Sequence, residues 1–184
     1  MSSLIVFGLI GALILIWIVV VYNKLIQLKV LTDNSFSDIE VHLKKRHDLV
    51  PNLVETVKGY MSHEKETLES VIQARNKAVK TNNINKQIEA ENTLSSLIPK
   101  IFALSEAYPD LKASPQFLKL QQELSMLENE IANARKYFNA VVRDYNTKQM
   151  VFPDVIIAKP FGFTKREFFQ AQESEIETPT VKLS

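Results

Sequence analysis

The sequence predicts an all-α protein: one N-terminal membrane helix, a bundle of long amphipathic helices, and an extended C-terminal strap. Three observations carry this. An uncharged apolar run opens the chain. Heptad-spaced apolar residues fill its middle. Glycine is scarce, at four in 184 residues, while good helix formers abound.

The opening run is LIVFGLIGALILIWIVVVY, residues 4–22. As a helix its nineteen residues rise about 28 Å, close to the roughly 30 Å of a bilayer's hydrocarbon core. Its many Ile and Val do not argue against a helix, because in lipid a lone segment must pair its own backbone groups. Trp17 and Tyr22 fall near its C-terminal end, where aromatic rings suit the interface. A basic n-region is missing and no A-x-A site follows, so a retained anchor is expected in place of a cleaved signal peptide. Lys24 and Lys29 follow the run, and no Lys or Arg precedes it. The positive-inside rule therefore puts the remainder of the chain in the cytoplasm. Gly8 and Ala12 form a small-xxx-small pair that lets two membrane helices approach, and a homo-oligomer through this pair and the helix faces is expected.

Beyond the anchor, Phe36, Ile39, Leu43, Val50, Leu53, Val57, Tyr60 and Val71 follow heptad spacing. A cleaner run comprises Phe117, Leu120, Leu124, Leu127, Ile131, Ala134, Phe138, Val141 and Tyr145. A weaker one lies around Ile84, Ile88, Leu94, Leu97, Ile98, Ile101 and Leu104. The segment KTNNIN (80–85) marks a turn, and Ser114 before Pro115 reads as an N-cap followed by proline at the first helical position. Pro51 is the difficult residue, because an interior proline costs a helix about 3 kcal/mol. Pairing by length favours a reversal at HDLVPN and four helices over 24–47, 50–80, 84–107 and 115–149. A kink at Pro51 would leave three. Pro99 is expected to bend the third helix.

The organisation expected is a short tail (1–3), the membrane helix (4–22), the bundle (23–150), a strap (151–170) and a disordered polar tail (171–184). The strap carries the apolar anchors Phe152, Ile156, Phe161, Phe163 and Phe168, with more Phe than a bland loop would hold, and these are expected to press on the bundle. The last segment is polar and acidic.

Three long stretches, taken in order, resemble the LemA family: KKRHDLVPNLVETVKGYMSHEKETLESVIQARNKA (44–78), SEAYPDLKASPQFLKLQQELSMLENEIANARKYFNAVVRDYN (105–146) and FPDVIIAKPFGF (152–163). With YNKL at 22–25 the similarity covers nearly the whole chain. The resemblance implies an antiparallel up-and-down four-helix bundle, one N-terminal membrane helix and a bacterial protein of the cytoplasmic membrane. It brings no catalytic residue with it.

The composition excludes several chemistries. Without cysteine there is no disulfide scaffold, thiol nucleophile or Cys-ligated metal. A net charge of +1 offers no field for nucleic acid. His63–Glu64 lacks the second histidine of H-E-x-x-H, since position 67 is Thr. His42 and His47, five apart, do not share a helical face. Glu106, Glu123 and Glu128 have no His three residues later, so the di-iron pattern of helix bundles fails. Lys44, Lys45 and Arg46, with Lys24 and Lys29, read as a solvated face, the alternative being contact with anionic headgroups. Arg46 takes a d position and is expected to pair with an acidic residue such as Glu64, while Glu55 and Arg135 are placed at or beside core positions. Tyr108, Tyr137, Tyr145, Asn139 and Asn146 read as capping and packing residues. No catalytic, cofactor or metal site is expected. The function expected is that of a non-enzymatic scaffold self-associating at the lipid bilayer. The alternative is an adaptor or sensor for another membrane protein, such as a protease or a signalling component.

Overall fold

A computed structural model of the chain describes residues 2–61, 63–81 and 84–169. The expected disordered tail (171–184) lies outside the described residues. Among those residues every regular element is a helix: α1 (Ser2–Lys58), α2 (Lys65–Lys80), α3 (Ile84–Ser105), α4 (Pro109–Lys112), α5 (Pro115–Met150) and α6 (Val155–Ala158). The chain divides into two compact units. One is Met1–Ile39 with Ala134–Phe168, and the other is centred on Glu40–Asn133. Helices α1 and α5 contribute residues to both.

The main correction concerns Pro51. Helix α1 does not reverse at HDLVPN. It runs 57 residues with Pro51 inside it, and the turn comes after Lys58. The reason is a contact from a neighbouring helix. Proline at 51 cannot donate to the carbonyl of His47, four residues earlier. That carbonyl instead accepts from Arg75 Nε of α2, at 3.1 Å. With its orphaned acceptor supplied from a neighbouring helix, α1 keeps the register in which Leu43, Val50, Leu53 and Val57 are all buried. The reversal falls at Gly59, where the amides of Tyr60 and Met61 both donate to Val57 O, at 2.9 and 3.0 Å. Helix α1 also begins at Ser2, so residues 2 and 3 are helical and do not form a tail. Pro99 sits on the exposed side of α3, which continues past it to Ser105.

In the Glu40–Asn133 unit one core joins α1 (Val50, Leu53, Val57), α2 (Leu68, Val71, Ala74), α3 (Leu94, Ile98, Ile101), α4 (Leu111) and α5 (Phe117, Leu120, Leu124). Phe102 and Phe117 meet edge to face at 6.2 Å. Tyr60, expected on the apolar stripe, is 44% exposed, because the helix has already ended before it.

In the other unit Val21 and Leu25 of α1 are buried with Ile157 and Ala158, and Trp17, Ile18, Tyr22 and Phe163 pack around them. Phe36 meets Phe138 at 5.6 Å. The rest of the apolar N-terminal run is unburied: its most apolar window is 6% buried. A helix this long, apolar and uncovered is consistent with a membrane protein.

The strap also departs from expectation. It is not extended throughout, since turns and the single-turn α6 occupy 151–162, and Gly162 adopts a φ of +74° that favours glycine. Of the five expected anchors, Phe152, Ile156, Phe161 and Phe168 are exposed and only Phe163 is partly buried. Ile157 and Ala158 are buried in their place, because a helical turn brings those two to the same side and rotates Ile156 away.

The Arg75–His47 contact generates a prediction. R75M should cost about 1–2 kcal/mol in urea denaturation, by leaving a partly buried carbonyl without its donor. In a P51A background that cost should largely vanish, because the alanine amide takes over the His47 carbonyl. A double-mutant cycle with no coupling would refute this explanation of the uninterrupted helix.

Candidate functional site

The polar cluster of the Glu40–Asn133 unit is built around Arg46, whose side chain is fully buried. Heptad spacing from Leu43 and Val50 turns it inward on α1. Glu91 and Ser95, one turn apart on α3, and Glu128 on α5 converge on it. Arg46 Nη1 donates to Ser95 Oγ at 2.5 Å and to Glu128 Oε1 at 2.7 Å. Nη2 donates to the Glu91 carbonyl at 3.3 Å and to the Glu91 carboxylate. Ser95 Oγ donates onward to Glu128 Oε2 at 3.1 Å. His47 Nε2 lies 2.8 Å from Glu91 Oε1.

Burial by itself would raise the Glu91 carboxyl. The hydrogen bond from His47 and the charge of Arg46 outweigh it and hold the group below its ordinary 4.5. Glu91 is therefore ionised at neutral pH and can only accept, so His47 Nε2 carries the proton between them. Both oxygens of the Glu91 carboxylate are engaged by α1, through Arg46 and His47, and Arg46 and Glu91 have no solvent access. Apart from Arg46 Nε, which is buried without an acceptor, the cluster's hydrogen bonds are made internally. It ties α1, α3 and α5 together, with Arg46 and Glu91 closed to solvent and Glu128 and His47 reaching it.

The expected partner of Arg46, Glu64, is not among these residues. It precedes α2, partly buried. Glu91 was missed, although its signal was present: Ile84, Ile88, Glu91, Ser95 and Ile98 step by four and three along one stripe of α3. A carboxylate on such a stripe needs a buried cation, and Arg46 is the match. Arg46 also does not belong to the solvated face with Lys44 and Lys45, both of which are exposed.

The other candidates scatter. His63 is exposed beyond the end of α1. His42 lies 3.2 Å from Glu130 on a partly exposed surface. Glu55 is exposed and 3.6 Å from Lys58, Glu106 pairs with Lys112, and Glu123 lies 3.8 Å from Lys119. Tyr108 packs on the core, and Tyr137 is exposed. In the other unit, Tyr145 is buried, which raises its hydroxyl above its ordinary value. Asn146 clamps the strap by donating to Arg166 O at 2.8 Å and accepting from Arg166 N at 2.9 Å. Arg166 reaches Asp33 at 2.7 Å, and Lys148 reaches Asp154 at 2.6 Å. A cleft of about 540 Å³ between the end of α1 and α2 is lined by Val54, Met61, Leu68 and Ile72, with Lys58 and Glu69 at its rim. Among the described residues no three His, Asp or Glu side chains gather as metal ligands.

Among the described residues, an all-helical architecture with an uncovered apolar N-terminal run and an internally paired charge cluster defines a class of helical proteins with a candidate membrane segment. The chain belongs to the LemA family, whose model matches residues 35–183. It is 28% identical over 155 residues to the protein LemA of Metamycoplasma hominis, covering 83% of this chain and 70% of that one. It is 23% identical over 189 residues to the magnetosome protein MamQ of Magnetospirillum gryphiswaldense, covering 87% and 70%. It is 22% identical over 187 residues to the magnetosome protein MamQ 2 of Paramagnetospirillum magneticum, covering 86% and 69%. None of these names specifies a reaction.

Two predictions concern the charge cluster. R46M leaves Glu91 and Glu128 without their shared cation and should cost about 3–5 kcal/mol in chemical denaturation. The lowered pKa of Glu91 makes its contribution to stability complete above pH 4.5 and lost as pH falls through the folded-state value. E91Q should therefore be less stable than the parent at pH 7, and the gap should narrow in acid. A constant gap from pH 7 to pH 3 would show that Glu91 is not the titrating group.

Proposed function

We propose that this protein is a membrane-anchored, non-enzymatic scaffold that self-associates at a bacterial cytoplasmic membrane. One observation carries the reading: a single helix, α1, bears both an uncovered apolar segment of membrane-spanning length and the buried core residues of the helical unit. The four long segments of that unit are read as an up-and-down bundle, whose outer faces supply the contacts for assembly. The Arg46 cluster supports a structural role over a catalytic one, because most of its polar groups are consumed in holding helices together. Lys24 and Lys29, following the apolar run, support a cytoplasmic location for the rest of the chain.

Gentle detergent extraction followed by mass photometry and imaging tests assembly. Homo-oligomers are expected, whereas monomers at every concentration would end the scaffold reading. Co-extraction of one stoichiometric membrane protein in place of self-assembly would support an adaptor. Orientation has its own test, made simple by the absence of cysteine. K44C should react with an impermeant maleimide only after the cells are permeabilised, and labelling in intact cells would reverse the topology.

A further inference from the structure

We infer that the 152–163 segment is a second membrane contact, an interfacial element seated in the headgroup–acyl boundary beside the end of the anchor. This rests on the anchor reading above and extends it to the strap.

Depth comes first. If 4–22 crosses the bilayer, its roughly 28 Å rise puts Tyr22 at one edge of the hydrocarbon. The strap is packed against that edge. Ile157 and Ala158 bury Val21 and Leu25, and the Tyr22 ring lies 5.1 Å from Phe161 and 5.8 Å from Phe163. A residue touching Tyr22 shares its depth, so Phe161 and the α6 turn lie at the interface.

The outward chemistry fits that depth. Phe161 is 56% exposed and Ile156 53%, and Phe152 continues the apolar surface at 80%. Lys159, within the segment, and Lys24, two residues after Tyr22, are exposed as well. The segment's carboxylate, Asp154, is buried against Lys148 and presents no anion. An aromatic and aliphatic face rimmed by cations is complementary to acyl chains below phosphate headgroups. Continuity with the span selects lipid as the occupant: this apolar surface begins where the apolar surface of the anchor ends. Together the two give the protein a broader grip on the membrane than one helix, with the strap shielding one side of α1 at the level of Val21.

The chain has a single tryptophan, Trp17, which makes the test direct. Full-length protein is reconstituted in phosphatidylcholine–phosphatidylglycerol vesicles whose acyl chains are brominated near the headgroup. Trp17 in the parent reports the anchor. F161W and I156W, each in a W17F background, report the strap. Y137W in the same background is the control, since Tyr137 is as exposed as Ile156, belongs to the same unit, and adjoins Phe138, whose partner Phe36 lies about 21 Å of helix rise beyond Tyr22. Circular dichroism confirms that each variant folds. Trp17, F161W and I156W should each be quenched about twofold, with Y137W unaffected. Quenching of Trp17 without quenching of F161W and I156W would overturn the inference and leave the anchor intact. Quenching of none would overturn both.

Discussion

A guanidinium carried out of water must be surrounded by acceptors, and this demand organises the Glu40–Asn133 unit. Arg46 is met from α3 by Glu91 and Ser95 and from α5 by Glu128, while His47 holds the other oxygen of Glu91. Apolar packing between helices tolerates a slip of one turn, because one Leu or Ile can stand for another. A buried ion cluster tolerates no such slip, since each displaced partner becomes an unpaired buried charge. The heptad stripes bring the helices together, and the cluster selects the alignment in which they stay.

The same logic of compensation explains how α1 continues through a proline. An interior proline ends a helix when its orphaned carbonyl finds no donor and a turn is the less costly outcome. Here Arg75 approaches from α2 and supplies the donor. The length of α1 is thus a property of two helices acting together. In the other unit a comparable set of polar ties, Asn146 to Arg166, Arg166 to Asp33 and Lys148 to Asp154, holds the strap in place while its larger apolar side chains face outward.

Much of the polar chemistry in this molecule is thereby directed inward, to register, helix continuity and strap placement. The exposed ion pairs, such as Glu123 with Lys119, are of the kind that contributes little to stability. The uncovered N-terminal segment and the outward apolar side chains of the strap remain open to the surroundings.

Periodicity and composition alone determined the helical class, the apolar N-terminal segment, the family resemblance and most of the core. Eight of the nine residues in the stripe from Phe117 to Tyr145 are buried, with Ala134 partly so. These features are legible because helix periodicity and segment length are local quantities. Tertiary structure decided the rest. Whether Pro51 turns the chain depends on Arg75, which is distant in sequence. Which carboxylates receive Arg46 depends on how α3 and α5 are aligned with α1. Which strap residues face inward depends on the rotation of one helical turn, and a count of aromatics carries no information about rotation. Each of these outcomes is set by a partner far along the chain, and no local pattern encodes the position of such a partner.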